Sequence, residues 1–192
     1  DMVRAEVLQD FAKTLSLAGF NPRAFVPSYG MAESTLAISF SDVDAPIKID
    51  TIDIGALKTR KRAIPAKAGT ERTRSFVICG AALPEHVIEV RGDNGGVLDE
   101  RDVGRIYVKG PSIMAGYYKA EEATAQALGS DGFLDTGDMG YMSEGYIFVV
   151  GRAKDMIIIN GKNHWPQDIE WAVEQLPGFK QGDIAAFAIT TP

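Results

Sequence analysis

The chain has 192 residues, 45% of them apolar and 24% charged, with a net charge of −6. This is an ordinary globular composition for one domain, or for a domain and part of another, and its negative balance gives no general pull towards nucleic acid or an anionic membrane. The single cysteine, Cys79, excludes an internal disulfide and suits a reducing cytoplasm; no signal peptide is expected, and no apolar run approaches the about 20 residues that span a bilayer.

Val3, Val7, Phe11 and Leu15 recur four residues apart, with Arg4, Glu6, Asp10 and Lys13 on the other face. The pattern predicts an amphipathic helix ending near Gly19. Asn21-Pro22 turns the chain, and residues 24–27 read as a short strand, so this end suits the last piece of an α/β layer. Alternation at Ile47, Ile49, Thr51 and on to Ile54 predicts another strand. Seven of the twenty basic residues (Lys58, Arg60, Lys61, Arg62, Lys67, Arg72 and Arg74) then crowd into 58–74 against one acid, Glu71. Such a run reads most plainly as a solvated basic loop.

Short strands are predicted at 76–80, 87–91 and 105–109, with a strong turn at Gly92-Asp93-Asn94-Gly95-Gly96. Their spacing predicts a small antiparallel barrel, with Cys79 as a core residue. His86 has no partner in view. A helix follows over 119–128, with Glu121 and Glu122 favourable in its first turn. The acidic stretch Asp135-Thr136-Gly137-Asp138 reads as a loop, where a carboxylate beside glycine lets backbone and side chain both approach a ligand. After it come a strand at 146–150, a charged turn holding Arg152, Lys154 and Asp155, and a strand at 156–159 closed by Asn160-Gly161. Pro166 opens a helix with Ile169, Val173 and Leu176 as its buried stripe, ended by Gly178. Residues 183–189 read as a further strand.

The ordered motifs T-G-D at 136–138, G-R-x-K-D at 151–155 and N-G-K-N-x-x-P-x-x-I-E at 160–170 resemble the boundary between the large and small domains of adenylate-forming ligases. That superfamily comprises acyl-CoA synthetases, luciferases and peptide-synthetase adenylation domains. Tyr29-Gly30-Met31-Ala32-Glu33 resembles its Y-G-x-[TA]-E segment, and YGMAESTLAIS looks most like the fatty acyl-AMP ligase branch, which commonly has alanine where other relatives carry threonine. Val103 to Val108, with Gly116-Tyr117, resembles G-E-I-x-V…G-Y, although Arg105 stands where the acid is usual.

The resemblance implies a mixed α+β fold. Residues 1–151 would be the end of the large adenylation domain, with a small antiparallel barrel-like subdomain; residues 152–192 would begin the small C-terminal domain. It implies ATP-dependent activation of a fatty acid to an acyl-adenylate, then transfer to the phosphopantetheine thiol of an acyl carrier protein or polyketide synthase carrier domain. In the family the tyrosine matching Tyr29 lies against adenine, where a flat ring gains from stacking, and Gly30, Met31 and Ala32 line the same nucleotide segment. The glutamate matching Glu33 helps hold Mg²⁺ on the ATP phosphates, as a hard cation wants carboxylate oxygen. The aspartate matching Asp138 accepts from both ribose hydroxyls, its two oxygens suiting a vicinal diol. The arginine matching Arg152 reinforces the ribose end and approaches the reacting phosphate, and Lys154 falls at the hinge about which the small domain rotates.

Residues 46–74 occupy the place of the acyl-AMP ligase insert, which is held to disfavour free coenzyme A; its basic face could meet an acidic carrier. The family's phosphate loop and distal lysine are not in this sequence, so the chain alone is expected to be inactive. An acyl-CoA synthetase and a non-catalytic adenylate-binding module are the alternative readings.

Overall fold

The computed structural model of the chain describes residues 2–159, 162–180 and 182–189. Asn160 and Gly161, expected to close a strand, lie outside them. The fold is mixed α+β and forms two compact units, residues 1–150 and 151–192.

The first unit begins with helix α1, Ala5–Thr14, whose last turn tightens into a 3-10 turn, Ser16–Ala18, capped by Gly19 in the left-handed conformation. Phe11 packs edge-on against Phe20 and Phe25. The strand expected at 24–27 is absent. The Asn21 side chain accepts from the Arg23 amide at 3.0 Å and Pro22 presets φ, so a 3-10 turn, Pro22–Ala24, forms instead. The chain then runs through β1, Ser28–Tyr29, a 3-10 turn, Ala32–Ser34, and β2, Ser39–Phe40. β2 pairs antiparallel with β1 and with β5, Ala81–Ala82.

The basic stretch begins in a helix and ends in a strand, with turns and loop over 61–72 between them. β3, Ile49–Asp53, pairs antiparallel with β4, Thr73–Val77, from Ile49↔Val77 to Asp53↔Thr73. Between them lies helix α2, Ile54–Arg60. Ile54 belongs to the helix and not to the strand because Asp53 caps it, its carboxylate accepting from the Gly55 and Ala56 amides at 2.7 and 3.2 Å. Leu57 and Ala63 are buried. Three of the cations are engaged: Lys61 with Asp93, Arg62 with Asp102, and the buried Arg74, which donates to the Val150 carbonyl and lies over Phe76. Arg60, Lys67 and Arg72 stay exposed.

A four-stranded sheet orders β6 (Val87–Arg91), β7 (Gly104–Lys109), β8 (Leu134–Ser143) and β9 (Tyr146–Arg152) side by side. Helix α3, Glu121–Ala127, precedes β8. β8 and β9 join through Glu144 and Gly145, both at positive φ (53° and 79°), the twist a two-residue hairpin prefers. Mutual bonds of 2.9 Å between Ile147 and the Cys79 amide and Gly80 carbonyl stitch β9 to the end of β4's extension. Among the described residues the expected barrel is therefore a set of open sheets around one core. Tyr29, Ile38, Cys79, Ile106, Leu134 and Ile147 belong to that core. Burial pushes the Cys79 thiol up to about 11, as fits a packing residue.

A half-buried polar knot ties the 46–74 segment to the sheet. Arg101 holds both oxygens of Asp50 at 2.7–3.1 Å and donates to the Ala63 carbonyl, while Tyr141, on β8, donates to Asp50 at 2.7 Å. Tyr141 in turn stacks on Phe148 with ring centroids 5.0 Å apart and meets Phe76 edge-on.

In the second unit a 3-10 turn, Ala153–Asp155, leads to the hairpin of β10, Ile157–Ile159, and β11, Lys162–His164. Helix α4, Pro166–Glu174, starts at Pro166 as expected. A Cβ at Gly151 would come within 2.7 Å of the Trp165 ring, so that residue must be glycine for the tryptophan to pack there. Two expectations fail. Leu176 is 54% exposed, lying beyond the helix and not on its buried stripe. Residues 183–189 form no strand, since no strand among the described residues pairs with them.

Candidate active site

The acidic T-G-D stretch lies inside β8, not in a loop. Pairing with β7 runs Arg105↔Met139 and then jumps to Tyr107↔Asp135, so an irregularity bulges β8 at Thr136–Asp138. Gly137 takes φ 74°, and bulges re-aim side chains in this way. The bulge is braced from within. Thr136 Oγ1 donates to the Ile106 carbonyl at 2.8 Å and accepts from the Asp138 amide at 3.1 Å. Asp135 accepts from the Gly137 amide and from Arg105 Nε, at 3.0 and 2.6 Å. Arg105, standing where the family has an acid, is thus paired with the bulge's own first carboxylate. Sequence alone could suggest this only through the opposite charges of two strands whose register was unknown.

Tyr29 meets that bulge from the other side. Its ring is in the core, 8% exposed, and its hydroxyl donates to Asp138 Oδ2 at 2.8 Å across a separation of 109 residues. Burial, with the negative Asp138 beside it, pushes the phenol above its ordinary value, so it remains a proton donor throughout the working pH range. Gly30 sits where the chain starts to fold back: a Cβ there would fall 1.8 Å from the Leu36 carbonyl oxygen. Met31 packs against the core, and Ala32 is exposed at the start of the 3-10 turn.

Glu33 lies in that turn and is held by the loop after β7. The Met114 amide donates to the Glu33 carbonyl at 2.8 Å, and the Tyr117 hydroxyl donates to Glu33 Oε1 at 2.8 Å. The Thr35 hydroxyl donates to the Ser112 carbonyl at 3.3 Å. His86, for which the sequence offered no partner, anchors the same loop: its Nε2 is 2.7 Å from Ser112 Oγ and its Nδ1 is 3.0 Å from the Pro84 carbonyl. Since that carbonyl can only accept, Nδ1 carries a proton, and in the neutral ring Nε2 accepts from the serine. Among the described residues no cluster of three His, Cys, Asp or Glu side chains could cage a metal. A lone carboxylate does fit Mg²⁺, which keeps most of its waters and binds through one or two carboxylates and substrate phosphates.

The structure therefore brings Tyr29 and Asp138 together. Glu33 is placed in the turn that follows Tyr29. Arg152, exposed at the end of β9, and Lys154, exposed in the 3-10 turn, belong to the second unit. Among the described residues no helix is long and apolar enough to cross a membrane.

No family model matches the chain. It is 50% identical over 98% of its length to a Caulobacter vibrioides protein provisionally named an acyl-CoA synthetase, and covers 33% of that protein. It is 34% identical over 97% of its length to JamA of Moorena producens, a medium-chain-fatty-acid–[acyl-carrier-protein] ligase, again covering 33%. Among solved structures it is similar to a fatty acyl-adenylate ligase from work on the E. coli and L. pneumophila enzymes, with a TM-score of 0.89, 43% identity, and coverage of 95% of this chain and 33% of the other. An L. pneumophila fatty acyl-adenylate ligase in complex with acyl adenylate and pyrophosphate gives a TM-score of 0.74 at 30% identity, the match covering all of this chain and 34% of that one. The chain thus spans about a third of the length of the relatives it matches.

Proposed function

We propose that the protein carrying this chain, which belongs with the fatty acyl-AMP ligases and adenylation domains of the adenylate-forming superfamily, activates a fatty acid with ATP. The fatty carboxylate oxygen attacks the α-phosphorus, the bond to the departing pyrophosphate breaks, and an acyl-adenylate forms. A thiol then displaces AMP from the mixed anhydride, and we assign that thiol to the phosphopantetheine arm of a carrier protein. The observation that carries the reading is the Tyr29–Asp138 hydrogen bond, which joins the Y-G-x-x-E turn to the T-G-D bulge.

Each residue has a stated task. Asp138 accepts from the ribose diol, Tyr29 and the Gly30–Ala32 backbone border the nucleoside, and Arg152 neutralises charge at the reacting phosphate. Two anions must be brought together, so positioning and charge neutralisation dominate the chemistry. Glu33 would hold Mg²⁺, which when bound supplies positive charge to the phosphates. Residues 1–151 would end the large domain and residues 152–192 begin the small one, with residues 46–74 as the insert that restricts it and Lys154 as the hinge.

Pyrophosphate exchange by the intact protein over a series of fatty acids tests the reading. Exchange that depends on a fatty acid is expected; a folded protein giving none with any chain length would overturn it. Asp138→Asn should lower kcat/KM for ATP about 10- to 100-fold, the worth of hydrogen bonds to a charged acceptor. Lys154→Pro should impair thiol transfer more than adenylation, because a locked φ blocks the torsion change a hinge requires. Equal loss of both half-reactions would remove the hinge assignment. The name of the Caulobacter relative favours a second reading, an acyl-CoA synthetase. Comparing product formed with free coenzyme A against carrier protein separates the two.

A further inference from the structure

The backbone of Asp138 is braced within the bulge. Its amide is fixed by Thr136, and Thr136 is fixed to Ile106 on the neighbouring strand. Holding the amide fixes the backbone alone, and the carboxylate can still turn about χ1 and about χ2, the latter broad and roughly two-fold. The Tyr29 hydroxyl, 2.8 Å from Oδ2, bears on that rotation. The tyrosine itself cannot swing away, since its ring is packed with Ile38, Cys79 and Ile106 and is 8% exposed. The donor is therefore rigid, buried and permanently protonated.

We propose that Tyr29 is a positioning residue that sets the plane of the Asp138 carboxylate, and so determines how sharply the site distinguishes a ribose diol from a deoxyribose. This rests on the reading of Asp138 as the ribose acceptor. A vicinal diol is recognised when both carboxylate oxygens face it at once; a carboxylate turned out of plane holds one hydroxyl well and the other poorly. Each oxygen accepts more than one hydrogen bond, so Oδ2 can serve the phenol and a sugar hydroxyl together. Preorganisation of this kind is worth most when the supporting side chain is itself locked by packing.

The test is sugar discrimination by the intact protein, measured as the ratio of kcat/KM in pyrophosphate exchange for ATP over 2′-deoxyATP and over 3′-deoxyATP. Tyr29→Phe, which keeps the ring and loses only the hydroxyl, should lower both ratios about 5- to 20-fold. A purely structural role would lower the rates with all three nucleotides alike, and unchanged ratios in a folded Tyr29→Phe protein would overturn the proposal. Should the buried ring not tolerate loss of its hydroxyl, tyrosine fluorinated beside the hydroxyl keeps the shape and alters donor strength. The ratios must then move with it, and constancy would overturn the proposal equally. Asp138→Asn is run alongside. If that variant leaves the ratios untouched, the ribose assignment itself falls; if it collapses them while Tyr29→Phe does not, only the role of Tyr29 falls.

Discussion

Gly30→Ala should destabilise the first unit by at least about 3 kcal/mol, lowering its Tm by roughly 6–12 °C. The added Cβ would lie 1.8 Å from the Leu36 carbonyl oxygen and 2.8 Å from Ala37 Cα, both of them backbone atoms that no rotamer change can move. Between these residues the chain doubles back. Tyr29 pairs with Ser39, the Ile38 amide donates to the Tyr29 carbonyl at 2.9 Å, and the Ser39 hydroxyl donates to the Cys79 carbonyl at 2.6 Å. Relieving the clash means prising β1 from β2, which would draw Tyr29 off Asp138 and shift the turn that carries Glu33. Activity should therefore fall together with stability. Gly95→Ala is the control: Gly95 has φ 78° but nothing within 4 Å of a new Cβ, so it should cost only the about 1–2 kcal/mol of a left-handed alanine. Thermal or urea unfolding of the two variants measures the difference, and equal losses would show that crowding is not what selects Gly30.

Asp50→Ala should cost about 2–3 kcal/mol, below the range for breaking a fully buried ion pair from one side because this one is half-buried. The Arg101 and Asp50 side chains are 21% and 16% exposed, so water can replace the lost carboxylate only in part. Tyr141, fully buried, would lose the acceptor of its hydroxyl as well. Asp50→Asn keeps an oxygen for Tyr141 and removes the charge, and should cost less than the alanine. Urea denaturation reads both; an Asp50→Ala midpoint within error of the parent would mean the knot adds nothing. The same geometry bears on how the insert reading is tested. Excising residues 46–74 whole would remove Asp50 and most of the β3–β4 hairpin, and would confuse unfolding with any change in thiol preference. Charge reversal at the exposed Arg60, Lys67 and Arg72 leaves the knot intact.

Much of this was legible because local pattern and tertiary structure agree. β7 alternates apolar and polar residues between Gly104 and Gly110, β9 is an apolar run between Gly145 and Gly151, and Pro166 starts a helix where its missing N–H has no cost. The acidic stretch at 135–138 was misread as a loop because a bulge interrupts the two-residue period that identifies a strand. α2 was hidden because its cap, Asp53, closes an alternating strand pattern that in sequence runs on to Ile54, and because the basic residues of its last turn look like the start of a solvated run. The pairing of Tyr29 with Asp138 was foreshadowed only as a shared neighbourhood. That the two would bond directly depends on β8's register, which no local signal encodes. Likewise His86 and Ser112 are distant in sequence and meet only because β6 and the loop after β7 share an edge.

The Asp50–Arg101–Tyr141 knot has a practical corollary for chimeras. A transplant of residues 46–74 into another scaffold would bring an orphaned acid unless the recipient supplies a guanidinium and a phenol at the corresponding points. Swaps among relatives should thus succeed or fail according to what the host carries at the positions equivalent to 101 and 141, far outside the grafted boundary.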